Sequence, residues 1–320
     1  MHRLGTVFGI ALALCALAAP SSAADKLRVG KAVAPPFVFQ PVDVGMEKGI
    51  FAKYDIEAEI IGFAGEARMH QGMTAGALDI ALGSGPGMGF IVKGVPQKAV
   101  GALYGNPDNF GIIVLPDSPL KTVQDLKGKT VSVSSTAALT YYFVKELSNR
   151  MGWGPDGIRP VPLGADSAQV AALKAKNIDA SGSAMDATVQ LVANGEVRQI
   201  VNYGDHIKHF ISNVIFASDK LIAENPDAVR RFLKGWYETI AWMNSHKEET
   251  IAIIGKTSRT PPALMGPIYD VHKKEFSTDG RFDREALDYI KGSLLTLKIL
   301  DEAPDMSKLY TEEFLPKAGS

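Results

Sequence analysis

One short pattern occurs twice, and it limits the folds open to this chain more than any other feature. Leu78-Asp79-Ile80-Ala81 is matched by Ile178-Asp179-Ala180-Ser181, with the two aspartates a hundred positions apart. Each copy follows an alanine-rich helical stretch and runs into a Gly/Ser turn, Gly83-Ser84-Gly85 in one and Ser181-Gly182-Ser183 in the other. Each then continues through a helix to a glycine, Gly94 or Gly195, and into another strand. A pattern that is weak residue by residue but kept in order is what a duplicated α/β lobe leaves behind.

The flanking residues carry the same alternation. Strands are expected at 27–33, 56–61, 78–82 and 97–104, with helices at 44–53, 66–75 and 87–93 between them. A second series follows Pro116, with strands at 129–133, 158–163, 178–181 and 197–201 and helices at 139–151, 167–174 and 187–193. Strand–helix alternation predicts an α/β fold with mainly parallel sheets flanked by helices. Asn213–Ala217 reads as one more strand, and the chain is then almost wholly helical. Asn225-Pro226-Asp227 is a helix start, with Asn225 as cap. Val229, Phe232, Leu233, Trp236, Ile240 and Met243 form one apolar stripe beyond it, and Leu287, Ile290, Leu294 and Leu297 another. Such stripes are packing faces. If these helices cover the first lobe, that lobe is discontinuous, 24–115 plus 213–320, and the second lobe is 116–212. The chain then crosses between lobes near Ile112–Pro116 and near Asn213–Ala217, a two-strand hinge with a cleft beside it.

The amino terminus reads differently. Met1-His2-Arg3 is a short basic start, an apolar run follows from Leu4 to Ala19, and Ser21 and Ala23 are small. This is the layout of a cleavable signal peptide over residues 1–23, and the apolar run is short of the ~20 residues a membrane span needs. The expected location is therefore periplasmic. The only cysteine, Cys15, lies in that segment, preceded by Leu14 where a lipoprotein anchor wants a small residue. Cleavage after Ala23 leaves no thiol to react.

Charge and motifs exclude other classes. Lys+Arg 34 against Asp+Glu 35, with no basic block, argues against nucleic-acid binding. The Gly83–Gly89 run fails dinucleotide spacing because Met88 holds the last glycine position, and Gly128-Lys129-Thr130 lacks the leading glycine of a phosphate loop. No serine stands in a nucleophile elbow. His206 and His209 have no further ligands clustered nearby and read as a solvated loop, so no metal and no cofactor are expected. A binding role, not an enzyme, is the expectation.

Ligands of open α/β sheets lie beyond the carboxyl ends of the strands, where helix N–H groups lack partners. Four loops qualify, two from each lobe. They are Pro35–Gln40, with Phe37 and Phe39 to stack a ligand and Gln40 to hydrogen-bond it; Gly83–Gly87, with Ser84 and Gly85; Ser134-Ser135-Thr136; and Ala184-Met185-Asp186. Tyr104 and Asn109, near the first crossing, are weaker candidates. Arg68, with His70, adds a cation on a helix whose ordinary place is the surface. Serine, threonine and aspartate at these points also serve as plain helix caps. A cleft carboxylate at Asp186 disfavours an anion unless it receives hydrogen bonds or meets a cation.

Four further runs carry a family resemblance: Val44-Gly45-Met46-Glu47-Lys48-Gly49-Ile50-Phe51, Gly76-Ala77-Leu78-Asp79-Ile80-Ala81, Asp125-Leu126-Lys127-Gly128-Lys129-Thr130-Val131 and Asn225-Pro226-Asp227-Ala228-Val229. In this order the chain resembles the periplasmic substrate-binding proteins of ABC importers, in the NMT1/THI5-like branch that takes up nitrate, sulfonates and taurine, and thiamine pyrimidine precursors. The resemblance implies a type II two-lobed fold that closes on a small-molecule solute and works as a monomer with an inner-membrane permease and its ATPase. The cysteine-rich motif of the related pyrimidine-synthesising enzymes is missing. An exported enzyme acting on a small anion, or a solute-binding sensor partner, are the alternatives, and the resemblance does not carry the identity of the solute.

Overall fold

The computed structural model describes residues 24–33, 37–136, 138–258 and 260–317. The expected signal segment with Cys15, and Pro35 and Pro36, lie outside the described residues. The first series gives β1 Asp25–Lys31, α1 Pro41–Glu47, β2 Ile56–Gly62, α2 Glu66–Thr74, β3 Ile80–Ser84, α3 Gly89–Val92 and β4 Gln97–Tyr104. The second gives β5 Phe110–Val114, β6 Thr130–Val133, α4 Leu139–Arg150, β7 Arg159–Pro162, α5 Asp166–Lys174, β8 Ala180–Ala184, α6 Met185–Ala193, β9 Arg198–Asn202 and α7 Tyr203–His206. The chain ends with β10 Asn213–Ser218, α8 Asp219–Glu224, α9 Pro226–Ser245, α10 Lys247–Gly255, α11 Pro262–Glu275 and α12 Arg284–Thr296. Among the described residues no helix is long and apolar enough to cross a membrane.

Two five-stranded sheets share one topology, β2-β1-β3-β10-β4 and β7-β6-β8-β5-β9. In each, four strands run the same way and one antiparallel strand lies between the third and the last. The duplication read from the sequence is therefore structural, and its two aspartates do the same work. Asp79 accepts the Arg28 N–H at 2.9 Å and the Arg28 guanidinium at 2.9 and 2.7 Å, tying β3 to β1. Asp179 accepts the Thr130 N–H and hydroxyl, both at 2.7 Å, tying β8 to β6. Burial pushes both carboxyls up, but these hydrogen bonds outweigh it and hold them below the usual range.

The antiparallel strands correct the expected crossings. β5 and β10 are central strands of sheets, buried among apolar neighbours, and α7 packs on α4, β5 and β9 of the second lobe, so the chain crosses earlier, at 105–109 outward and 207–212 on return. The physical reason is compositional. Phe110–Val114 and Asn213–Ser218 are runs that gain most by pairing on both edges, whereas Gly105-Asn106-Pro107-Asp108-Asn109 is turn chemistry. The carboxy-terminal helices pack as their stripes predict. Val229, Phe232, Leu233, Trp236, Ile240 and Met243 of α9 are all buried, and Tyr237 donates to the Ala102 carbonyl of β4 at 3.0 Å. Asn225 caps α9 by accepting the Ala228 N–H at 3.1 Å.

Candidate functional site

Beyond β1 of the first sheet, the turn Phe37–Phe39 leads into α1. The second sheet's central strand β8 ends at Ala184, and α6 begins with Met185-Asp186. These two ends meet. The Phe37 N–H donates to Asp186 Oδ2 at 3.1 Å, and His272 Nε2 of α11 lies 3.0 Å from Asp186 Oδ1. Helix α11 packs against both the Phe37–Phe39 turn and α6, so it spans the seam between the lobes.

Aromatic rings form the first-lobe side of the seam. Phe37 stacks on His272, with centroids 4.6 Å apart and planes 18° from parallel. Tyr104, at the end of β4, lies 5.4 Å from His272 and 5.4 Å edge-on from Phe276. Tyr269 meets Phe37 edge-on at 6.4 Å. Such offset and edge-on contacts give a rigid apolar wall.

Buried polar atoms without a protein partner line the same seam: Tyr104 Oη, Asn109 Oδ1, His272 Nδ1 and Gln40 Nε2. Buried polar groups are seldom left unpaired, so these are the atoms a bound molecule or water would satisfy. The electrostatics are asymmetric. Burial pushes Asp186 up, yet His272 and the Phe37 N–H prevail and hold it below the usual carboxylate range. Burial first, and then the carboxylates of Glu275, Asp186 and Asp108, push the Tyr104 phenol well above its ordinary value. The condition set for a cleft carboxylate, hydrogen bonds or a cation, is met within the protein itself by the Phe37 N–H and His272 Nε2.

The residues singled out in the sequence divide into three groups. Phe37, Tyr104, Asn109 and Asp186 come together at the seam, where the Asn109 carbonyl accepts the Met185 N–H at 2.8 Å. Gln40 is buried at its edge, with Oε1 3.5 Å from the Thr257 hydroxyl, and Phe39 belongs to the core. Ser84 and Gly85 form a second group, an internal cap. Ser84 donates its hydroxyl to Glu66 at 2.6 Å and its N–H at 2.7 Å, and its Oγ accepts the Gly87 N–H at 3.1 Å. Gly85 donates to the Ser212 carbonyl, and a Cβ there would lie 2.1 Å from the Ile211 carbonyl oxygen. Arg68, Ser135 and Thr136 form the third group, exposed, with Ser134 half-buried beside Thr140.

His70 is not on a surface face. It is buried between Phe90, stacked at 4.4 Å, and Phe216, with Gln97 Nε2 3.1 Å from its Nδ1. His209 faces Glu285 at 3.6 Å and Asp283 at 4.0 Å. Sequence reasoning missed His272, Asp108 and Glu275. One signal was present: His272 stands in the buried stripe Met265, Ile268, Tyr269 of α11, where an imidazole needs a partner.

The NMT1/THI5-like family model matches residues 37–250. A putative binding protein of Brucella abortus is 25% identical over 224 residues, covering 69% of this chain and 68% of its own. The 4-amino-5-hydroxymethyl-2-methylpyrimidine phosphate synthase of Legionella pneumophila is 24% identical over 291 residues, 86% of this chain and 88% of that enzyme. Among solved structures, the periplasmic aliphatic sulphonate binding protein SsuA of Escherichia coli superposes with a TM-score of 0.75 at 18% identity, covering 89% of this chain and 92% of SsuA. The fold is that of the periplasmic binding proteins, and the relatives by sequence include both binding proteins and an enzyme.

Proposed function

The chain belongs to the NMT1/THI5-like family, and from that premise we propose that it is the extracytoplasmic solute-binding component of an ABC importer. It acts in the periplasm, closes its two lobes on a small solute and presents it to a membrane permease driven by an ATPase. The observation that carries this reading is the seam. Phe37 and His272 from one lobe converge with Asp186 from the other, beside four buried polar atoms without protein partners. A solute held there gains contacts from both lobes only when they are closed, so binding and closure are coupled.

The test is thermal unfolding of the mature chain against aliphatic sulfonates, nitrate, carboxylates and pyrimidines. A cognate solute at a hundredfold its Kd adds about 2.7 kcal/mol by mass action, enough to raise Tm by several degrees. Asp186→Ala should remove most of that rise. If no compound moves the transition, or a compound that does is turned into product, the binding reading fails. The second outcome would favour catalysis, the activity named for the Legionella relative.

A further inference from the structure

We propose that the concavity beside the two crossings is a second ligand site, separate from the seam, and that it takes a small zwitterion, an α-amino acid with an apolar side chain. The inference goes beyond the reading of a solute held at the seam and does not depend on it.

The concavity has a volume of about 450 Å³, the size of a small-molecule site. Its walls come from both crossings and from the helical tail, and hydrogen bonds fix them to one another. The Ser212 N–H donates to the Gly105 carbonyl at 3.1 Å and the Phe210 N–H to Asn106 Oδ1 at 3.3 Å, joining the outward and return crossings. The Gly105 N–H donates to the main-chain carbonyl of Glu275 at 2.7 Å, which holds the end of α11 against the outward crossing. Phe37, Asp186 and His272 of the seam do not line the concavity, and Tyr104 borders both places.

The charged side chains around it are unequally matched. Arg281 lies 3.3 Å from Glu312 and 3.8 Å from Asp279, and His209 lies 3.6 Å from Glu285 and 4.0 Å from Asp283. Lys208, exposed on the return crossing, makes no hydrogen bond or ion pair among the described residues. Glu275 likewise has no cation within ion-pair distance there; its Oε2 accepts only the Asn106 N–H, at 2.9 Å. A Cβ on Gly105 would lie 3.0 Å from that oxygen, so the bare glycine leaves the carboxyl uncovered. Burial, and then Asp108, push the carboxyl up to about 7, against the pull of the Asn106 N–H and the charge of Lys208, as befits a carboxylate without a cationic partner. One concavity thus presents an unmatched ammonium and an unmatched carboxyl that do not pair with each other. A simple anion would answer Lys208 and be repelled by Glu275, and a simple cation would do the reverse. A molecule carrying both charges answers both, its carboxylate toward Lys208 and its ammonium toward Glu275. Ala102, Phe210, Ile211 and Ala286 supply an apolar wall for its side chain.

The test is isothermal titration calorimetry with L-leucine, L-valine and L-phenylalanine as probes. At least one should bind with a Kd below about 1 mM, and about tenfold or more tightly than its two single-charge analogues, which for leucine are L-leucinamide and 4-methylpentanoate. Lys208→Ala, which has no partner to lose, and Glu275→Gln, which keeps an acceptor for the Asn106 N–H, should each weaken binding about tenfold. Asp186→Ala, which alters the seam alone, should change it by less than about threefold. Circular dichroism confirms that each variant is folded, and Lys208→Ala decides if Glu275→Gln is not. No heat from any probe up to about 10 mM, equal affinity for the single-charge analogues, or wild-type affinity in Lys208→Ala would overturn the site. Loss of binding in Asp186→Ala would place the amino acid at the seam and overturn it equally. The solute screen is a separate measurement, so failure of either leaves the other standing.

Discussion

Asp186→Ala is the most informative single perturbation of the seam. The carboxylate is a quarter exposed and accepts from the Phe37 N–H, with His272 Nε2 at 3.0 Å, while His272 itself is fully buried and its Nδ1 already has no partner. Removing the carboxylate strips the imidazole of its remaining partner and orphans a main-chain donor. Hydrogen bonds to a charged group are worth about 1.5–3 kcal/mol each, and the partial exposure lets water replace some of that, so the expected loss is about 2–4 kcal/mol in total. Asp186→Asn keeps an acceptor for Phe37 and should lose less. The sign with pH follows from the depressed carboxyl. Its stabilisation is present above the unfolded value of about 3.9 and disappears as pH falls through the lower folded value, so wild type and variant should converge on acidification. Urea unfolding at neutral pH of the two single variants and of Asp186→Ala with His272→Ala completes a double-mutant cycle. A coupling of about 1–2 kcal/mol is expected for groups in contact. Additivity within about 0.5 kcal/mol would refute the claim that this pair joins the lobes.

Two further predictions address the frame. Asp79→Ala should cost about 2–3 kcal/mol and Asp179→Ala about 1–2, because the first loses three hydrogen bonds including a guanidinium and the second loses two from Thr130. Denaturant unfolding checks both, and a wild-type midpoint in either variant would mean that the strand tie is not holding its sheet. Gly85→Ala should destabilise by about 1–3 kcal/mol, since its Cβ would meet main chain at 2.1 Å, whereas Gly292→Ala, exposed in α12 with open space around it, should stabilise by about 0.5–1 kcal/mol. Equal effects at the two sites, read as Tm changes, would contradict the packing described around Gly85.

Much of the fold was legible because α/β patterning is local. The strand expected at 97–104 is β4 to the residue, and the Asn225 cap and α9 stripe lie where their signals put them. The crossings were not legible, because an apolar run of five residues has the same period whether it joins two lobes or sits inside one. Only the pairing partners of β5 and β10 decide, and those are set by strands far away in sequence. Ser84 shows the same limit at the scale of one side chain. Its hydroxyl looked free for a ligand until Glu66, eighteen residues earlier, proved to claim it.

The candidate site was half legible, and the half that was missed explains why. Aligning the copies on Asp79 and Asp179 places the loops beyond β3 and β8 in correspondence, and there the copies diverge: Pro86 stands where the second lobe has Asp186. Where the copies agree, the residue serves the sheet, as the matched ties to Arg28 and Thr130 show. At the position of Pro86 and Asp186 they differ, and there the second copy's residue faces the other lobe. Asp186 finds one partner in the first copy, the Phe37 N–H, and the other in α11, part of the helical tail outside the duplication. That tail adds Tyr269, Phe276 and His272 to the aromatic wall of Phe37 and Tyr104, while the other lobe supplies the carboxylate. A solute between them would meet two unlike surfaces. Discrimination is then expected to follow substitutions in α11 and at Asp186 more closely than changes at the serines and threonine of 134–136, which are half-buried or exposed apart from the seam.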